Sequence, residues 1–462
     1  MPETSSTTET TNLRGVALEV LGQALRAGAT DAEVVAYEGE EFSAQVRLGQ
    51  VETLKESGSR AIGLRVFNGL RTASTSSSDL SREGLEKLVE GAVMLAKVTS
   101  EDPFVGLPDA SAFGQLRGDL GLYFDDVNDL PPAERIEIAR RCEAAAMACD
   151  VRIQNSGGGD FDTAASHKVL LNSRGFTGES KRSYCGFSTA PIAVDENGKM
   201  QRNYWYSSSR TTRMLESPEE IGRIAAARTL RRLGARQVKT QRVPVVFSPE
   251  IARSIMGNIF EAANGDSIYR HATFFDEMLG QRVAGENITV VDDGTLVFNG
   301  IGGFGTSAFD GEGLPTRRTV LVDRGILKSY VLNTYTARKL GLASTGNAAR
   351  GLAGNPGIGA GNFFLEAGTS TPEEIIGEVK QGLYVTETMG FGVNLVTGDY
   401  SQGASGLWIE NGELAYPVEE ITIAGNLKDM YRNIVAIGND LVFRSASASP
   451  TIRVDGMTIA GS

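Results

Sequence analysis

The chain has 462 residues, 45 Lys and Arg against 57 Asp and Glu, a formal charge of −12, and 41% hydrophobic residues. That length supports two or three cored domains, and the acidic balance argues against a general phosphate-binding surface, because nucleic-acid binders present a basic face. No signal peptide or membrane-spanning stretch is legible, and three cysteines without CxxC spacing fit a reducing compartment, so a cytoplasmic location is expected.

Residues 1–12, MPETSSTTETTN, are polar and acidic and predict a disordered tail. Leu13, Val16, Leu18, Val20, Leu21 and Leu25 then form an amphipathic pattern that predicts a helix ending near Gly28. Alternating segments from 32 to 75 predict strands, and Ser81 caps a second helix through Leu85, Leu88, Val89 and Val93. The order recurs: a helix over 131–149, strands over 151–211, and a helix opened by Ser217-Pro218-Glu219-Glu220 and closed at Gly234. There the Ser caps, the Pro fits the first turn, and the acids meet the positive end of the helix. Residues 13–240 therefore read as an N-terminal α/β region, an internal duplication of halves 13–100 and 125–236. Cys142 and Cys149, seven apart on a predicted helix, share a face and are expected to be buried.

Residues 241–462 form the second predicted domain. VPVVFS reads as a strand, and Ser248-Pro249-Glu250 opens a helix through Ala252, Ile255, Met256 and Ile259. From 281 onward, turn dipeptides at Asp293-Gly294, Asn299-Gly300, Asp310-Gly311 and Asn411-Gly412 separate strand-like runs. Two short helices, near 335–340 and 371–381, interrupt them. The expected fold class is α+β, with a C-terminal β-rich domain of curved or barrel-like antiparallel form.

Residues 382–433 read GLYVTETMGFGVNLVTGDYSQGASGLWIENGELAYPVEEITIAGNLKDMYRN, and this string resembles the C-terminal signature of the TldD/PmbA family. GLRVFNGLRTASTSSSDLS, residues 63–81, resembles the family's early strand-and-turn segment, and the resemblance is most specific over 242–439. Members of this family were long described as modulators of DNA gyrase. They are understood as metallopeptidases in which a TldD-like and a TldE (PmbA)-like subunit work together. A TldD-type subunit carries zinc on an HExxxH helix completed by a later cysteine. Two imidazoles and a thiolate hold the ion, and the glutamate acts as base on the bound water.

This chain has two histidines, His167 and His271, and its helix reads MGNIFEAANGD over 256–266. Matched on Gly265-Asp266, Met256 and Glu261 stand at the histidine positions and Gly257 at the glutamate. The last cysteine is Cys185, and the tail SASASPTIRVDGMTIAG supplies no thiolate. The resemblance therefore implies a TldE-like subunit with no metal ligand or catalytic residue of its own. Zinc is expected in a TldD-type partner, in a heterodimer or higher assembly that cleaves small or unfolded peptides. Asn394, Thr397, Gly398, Asp399, Tyr400, Ser405 and Gly406 are the peptide-binding candidates, on a β-rich wall whose strand edge can pair with an extended peptide. The other reading of these seven is a turn that shapes the domain.

Two alternatives stay open: a stand-alone hydrolase using His271, and a binding or scaffold protein of the gyrase-modulator kind. His271 has Asp266, Asp276 and Glu277 nearby in sequence, but no G-x-S-x-G or other motif links a histidine to Ser405 or Cys185. Residues 300–305 fit G-x-G-x-x-G, yet TSAFDGEGLPTRRT follows instead of the helix a dinucleotide site needs. That segment is expected to be a mobile or ligand-facing loop, and 351–362 to be disordered in the isolated subunit or ordered by a peptide or partner. Asp292-Asp293 and Asp310-Gly-Glu312 read as turn acids. Arg228, Arg231, Arg232, Arg317 and Arg318 read as solvated or acid-paired. No nucleic-acid or membrane partner is expected, and a homodimer is the alternative assembly, since a surface that meets a related partner can meet itself.

Overall fold

The computed structural model describes residues 12–461. Its first helix, α1 (Leu13–Arg26), starts where the Asn12 side chain accepts the Gly15 amide, satisfying a donor that a helix start leaves free. The rest of the expected tail lies outside the described residues. α1 leads into a meander of β1 (Asp31–Arg47), β2 (Gln50–Asn68) and β3 (Arg71–Ser77), then into α2 (Arg82–Val98), capped by Ser81. The order repeats with α3 (Pro132–Met147), β4 (Ile153–Asn172), β5 (Thr177–Val194), β6 (Met200–Arg202), β7 (Trp205–Ser209) and α4 (Pro218–Leu230), capped by Ser217.

β1 and β4, the first strands of the two runs, pair antiparallel at the centre of one sheet of order β3-β2-β1-β4-β5-β6, with β7 also on β5. Side chains alternate along a strand, so the two faces have different fates. One face places Val34, Ile62, Leu64, Val169 and Leu171 against α1 and α2, and Phe161 and Phe187 against α3 and α4. Each of these contributes about 1.5–3 kcal/mol by leaving water. The opposite face is more polar. Register sets Tyr37, Lys168 and Ser180 side by side across β1, β4 and β5, and Ser166 beside Arg182. Val35 and Leu170 on this face pack against Phe309 and Leu314, which joins the sheet to the second half of the chain.

That half contains β8 (Gln241–Phe247), α5 (Pro249–Ala262), α6 (Gly265–Tyr269), β9 (Val290–Asp293), β10 (Arg318–Asp323), α7 (Thr334–Leu340), β11 (Asn362–Leu365), β12 (Gln381–Met389), β13 (Asp399–Glu410), β14 (Glu413–Asn426) and β15 (Ile452–Ala460). Strands β8, β12, β13, β14 and β15 pair in that order, and β15 returns to β8, closing a five-stranded barrel. Closure leaves no sheet edge in the barrel itself. The expected barrel-like domain is thus a closed barrel, mostly antiparallel, with β8 and β12 parallel because a long crossover separates them. Val245, Phe247, Leu383, Trp408, Ile423 and Ile459 form its core, joined by Ile255, Met256 and Ile259 of α5. A second five-stranded sheet runs Ile326–Leu327, β10, β9, β11, Ser447–Ala448.

Two local expectations change. Cys142 is buried but Cys149 is exposed, because α3 ends at Met147 and Cys149 lies beyond its C-cap. A further helix, Leu427–Arg432, follows Asn426, whose side chain accepts the Lys428 amide. Six residues are too few to give a periodic signal.

Candidate functional site

The polar face of the N-terminal sheet and the loops of the second half enclose adjoining cavities that share lining residues. One of about 460 Å³ lies between Tyr184, Ser188 and Tyr206 of the sheet, Arg253 of α5, Phe304, and residues 444–446. Phe304 and Ala446 also border a cavity of about 470 Å³ that holds Lys168, Arg182, Asp292, Asp310 and Arg350. Phe304 and Arg444 border a third, of about 330 Å³, with Arg210 and Glu216. Burial raises the pKa of both the Tyr184 and Tyr206 hydroxyls.

α5 is the helix on which the family resemblance places a metal. Met256 is fully buried among Ile255 and Ile259, while Glu261 is exposed one turn on. From the same helix Arg253 donates to the Ser445 hydroxyl at 2.8 Å, so the serine-rich tail does lie against α5. These residues do not fit a zinc ion: a thioether in hydrocarbon, a glycine, a guanidinium and a hydroxyl offer no imidazole or thiolate, and the Glu261 carboxylate is a single donor where three are needed. Among the described residues no group of three His, Cys, Asp or Glu side chains is placed to hold a metal.

The glycine-rich loop at 300–305 is a packed wall of the cleft. The buried Arg210 guanidinium donates to the carbonyls of Gly302 at 2.8 Å, Gly303 at 2.9 Å and Phe304 at 3.0 Å. Only glycine fits at 305, where a Cβ would lie 2.0 Å from the Gly361 carbonyl oxygen. The second glycine stretch is therefore stacked directly on the first.

Beneath these loops lies a buried ion cluster. Glu33 of β1 faces its cross-strand partner Arg65 of β2 at 2.7 Å and also pairs with Arg350. Both are charge contacts without hydrogen-bond alignment. Nearby, Glu312 accepts the Thr334 amide at 2.8 Å, and burial raises the pKa of both Glu312 and Asp310. Arg65 and Glu312 also line a cavity of about 460 Å³ on the far side, with Asn264 and Asp266 at the start of α6.

Asp292 is 2% exposed, and Asn347 donates to its Oδ2 at 2.6 Å. Burial, the dominant cause, pushes it up to about 6. An unfolded aspartate titrates near 3.9, so this group's contribution to stability is complete below about pH 4 and lost as pH rises through about 6. Asp292→Asn is expected to remove about 3 kcal/mol of pH dependence. The readout is the unfolding free energy of both proteins at pH 4 and pH 7; parallel profiles would contradict it.

The seven peptide-binding candidates divide by environment. Asn394, Thr397 and Asp399 are exposed on one turn, where the Asn394 side chain accepts the Val396 and Thr397 amides and Thr397 donates to Asp399. Gly398 takes φ +87° in that turn. Tyr400 is in the barrel core, and Ser405 is 4% exposed on β13. At Gly406 a Cβ would lie 2.0 Å from the Tyr384 carbonyl oxygen, so barrel pairing itself demands glycine. None of the seven lines the cavities described above.

His271 is exposed and bonds Asp276 at 2.6 Å, which raises its pKa. Asp266 is instead engaged with Arg270 at 3.1 Å. Cys185 is buried, and burial pushes its thiol up to about 12. Among the arginines, Arg228 meets Glu250 at 3.4 Å, Arg318 meets Glu366 at 2.8 Å, and Arg232 pairs with Glu387. Among the residues that the sequence did not single out are Lys168, Arg182, Arg210 and Arg350. For Lys168 and Arg182 the local trace is the alternation of β4 and β5, which puts these two on the face away from the helices.

A repeated helix–meander–helix sheet closed against a barrel, with a polar cleft between them, is the architecture of a known metallopeptidase family. The chain belongs to the PmbA/TldD family: it matches the models for PmbA/TldA metallopeptidase domain 1 over 32–96, the central domain over 125–233 and the C-terminal domain over 240–461. It is similar to metalloprotease PmbA of Escherichia coli O157:H7, 39% identical over 95% of this chain and 94% of that protein. A metalloprotease PmbA homolog of Haemophilus influenzae is 35% identical over the same shares. A crystal structure described as a candidate modulator of DNA gyrase from Bacteroides thetaiotaomicron superimposes with a TM-score of 0.90 at 28% identity, covering 97% of this chain and 99% of that one. Among the described residues no helix is long and apolar enough to cross a membrane.

Proposed function

We propose that this chain is the TldE/PmbA-like, non-zinc subunit of a heteromeric cytoplasmic metallopeptidase. It forms one wall of a chamber in which a TldD-like partner, carrying the zinc, cleaves small or unfolded peptides. The observation that carries this reading is the chemistry of α5, with Met256 in hydrocarbon, Gly257, an exposed Glu261, and Arg253 of the same helix held to Ser445 of the serine-rich tail. A guanidinium on this helix opposes a nearby dication but donates readily to peptide carbonyls.

The adjoining cleft supports the peptide side of the reading, because its tyrosines present broad apolar rings with a polar tip, which hold a chain with little regard to sequence. The exposed turn carrying Asn394, Thr397 and Asp399 is the part of the candidate set open to a peptide or to the partner. The test is peptide cleavage by this chain, by a TldD-type chain from the same cell, and by their mixture. Cleavage is expected only on mixing. Undiminished cleavage by the zinc chain alone would sink the chamber role, and cleavage by this chain alone would move the chemistry to another site.

A further inference from the structure

We propose that the cavity of about 470 Å³ between the N-terminal sheet and the glycine loops is a carboxylate pocket, which holds the anionic end or an acidic side chain of a peptide lying in the cleft. The proposal rests on the peptide-chamber reading above. Four cations line this cavity: Lys168, Arg182, Arg317 and Arg350. Arg350 is matched by Glu33. The other three have no acid in ion-pair contact among the described residues. Lys168 reaches only the Arg350 carbonyl, at 3.5 Å. Arg182 is largely enclosed, and burial alone lowers its pKa, with no acid offsetting it. Arg317 donates to the Ser344 carbonyl at 2.7 Å, on the exposed rim.

The two acids in the cavity offset these charges only in part. Asp310 accepts the Glu312 amide at 2.9 Å, the Leu314 amide at 3.0 Å and the Ala348 amide at 3.0 Å. Asp292 is engaged by Asn347. Burial raises the pKa of both, that of Asp292 to about 6, so near neutral pH the two keep part of their negative charge and leave the cavity short of anions. Lys168, in turn, is pushed down to about 8, first by burial and then by the charges of Arg350 and Arg182. Enclosed cations without counter-ions are costly, and an arriving anion offsets that cost.

Two features select a carboxylate. Asp292 and Asp310 oppose a second negative charge, so a monoanion fits better than a phosphate dianion. A guanidinium also offers a carboxylate two parallel donors. The pocket adjoins the cleft, since Phe304 and Ala446 border both it and the cavity beside Tyr184 and Tyr206.

The experiment measures fluorescence anisotropy on the full-length chain, alone and mixed with its zinc-bearing partner. Three probes carry an N-terminal fluorescein: pentaalanine with a free C-terminus, the same peptide as its C-terminal amide, and the amide of Ala-Ala-Ala-Ala-Glu. The free acid is expected to bind at least about tenfold tighter than the pentaalanine amide. That preference should vanish in Arg182→Gln and in Lys168→Gln and persist in Arg182→Lys, with thermal melts confirming that each variant folds. If Arg182→Gln does not fold, Lys168→Gln carries the comparison. Tight binding by the Glu amide would assign the pocket to any carboxylate, and tight binding by the free acid alone would assign it to the chain end; either supports the pocket. Equal binding of acid and amide, binding of no probe, or a preference that survives in a folded variant would overturn it. Because cleavage is not read, a complex that cleaves without this preference fails the pocket alone, and a chain that shows the preference without cleavage fails the peptidase reading alone.

Discussion

Replacing Glu33 by glutamine is expected to cost about 3–5 kcal/mol of stability. The substitution keeps the shape of the side chain and removes its charge, leaving Arg65 and Arg350 facing each other out of water. Glu33 is 0% exposed and Arg65 is 4% exposed, so solvent screens the remaining pair little. The cluster spans the two halves of the chain, and its geometry depends on a close backbone approach. At Gly63 of β2 a Cβ would lie 1.6 Å from the Leu352 carbonyl oxygen, so glycine alone lets that segment descend far enough for Arg350 to reach β1. Denaturant unfolding of Glu33→Gln, Arg350→Met and the double variant measures the effect. The double variant should recover part of the loss, because removing one cation relieves the repulsion. A loss below about 1 kcal/mol in Glu33→Gln would show that water reaches the cluster.

Arg210→Met should act on the cleft more than on the whole fold. Its guanidinium supplies charged donors to three consecutive carbonyls, at Gly302, Gly303 and Phe304, and further long contacts to Leu122 and Ser183. Burial, and next the charge of Arg182, lower it to about 10, so it stays charged at neutral pH. A hydrogen bond to a charged group contributes about 1.5–3 kcal/mol, and a buried acceptor left empty costs about as much. The loss is therefore expected to reach about 3 kcal/mol and to fall on the loop, since methionine keeps the apolar packing of the stem. Amide exchange over 300–306 and proteolytic nicking there should both rise sharply. Unchanged exchange over those residues would mean that the glycine stacking alone holds the loop.

What the sequence made legible was local chemistry. Ser81 and Ser217 cap helices where a hydroxyl followed by an apolar period predicts them, and alternation marks β1, β4 and β5. Asp310 does make the turn bonds expected of an aspartate before glycine, accepting amides two and four residues on. Its burial was not legible, because burial arises only when the N-terminal sheet closes over that turn. The same holds for Glu33 and Arg350, which are more than three hundred positions apart and meet only through the tertiary fold. The glycine-rich string at 300–305 could be separated from a dinucleotide site by the missing helix, but nothing in it points to Arg210 ninety residues earlier. The seven candidates came from one string of family likeness, in which strand alternation puts Tyr400 inside the barrel while the turn before it stays outside.

The most direct test of the account is zinc content, measured by elemental analysis on this chain purified alone and on the complex that cleaves peptide. The account predicts no stoichiometric zinc in the lone chain, and zinc in the complex that disappears when the partner's motif histidines are replaced and is untouched by Glu261→Gln in this chain. Stoichiometric zinc in the lone chain would contradict it.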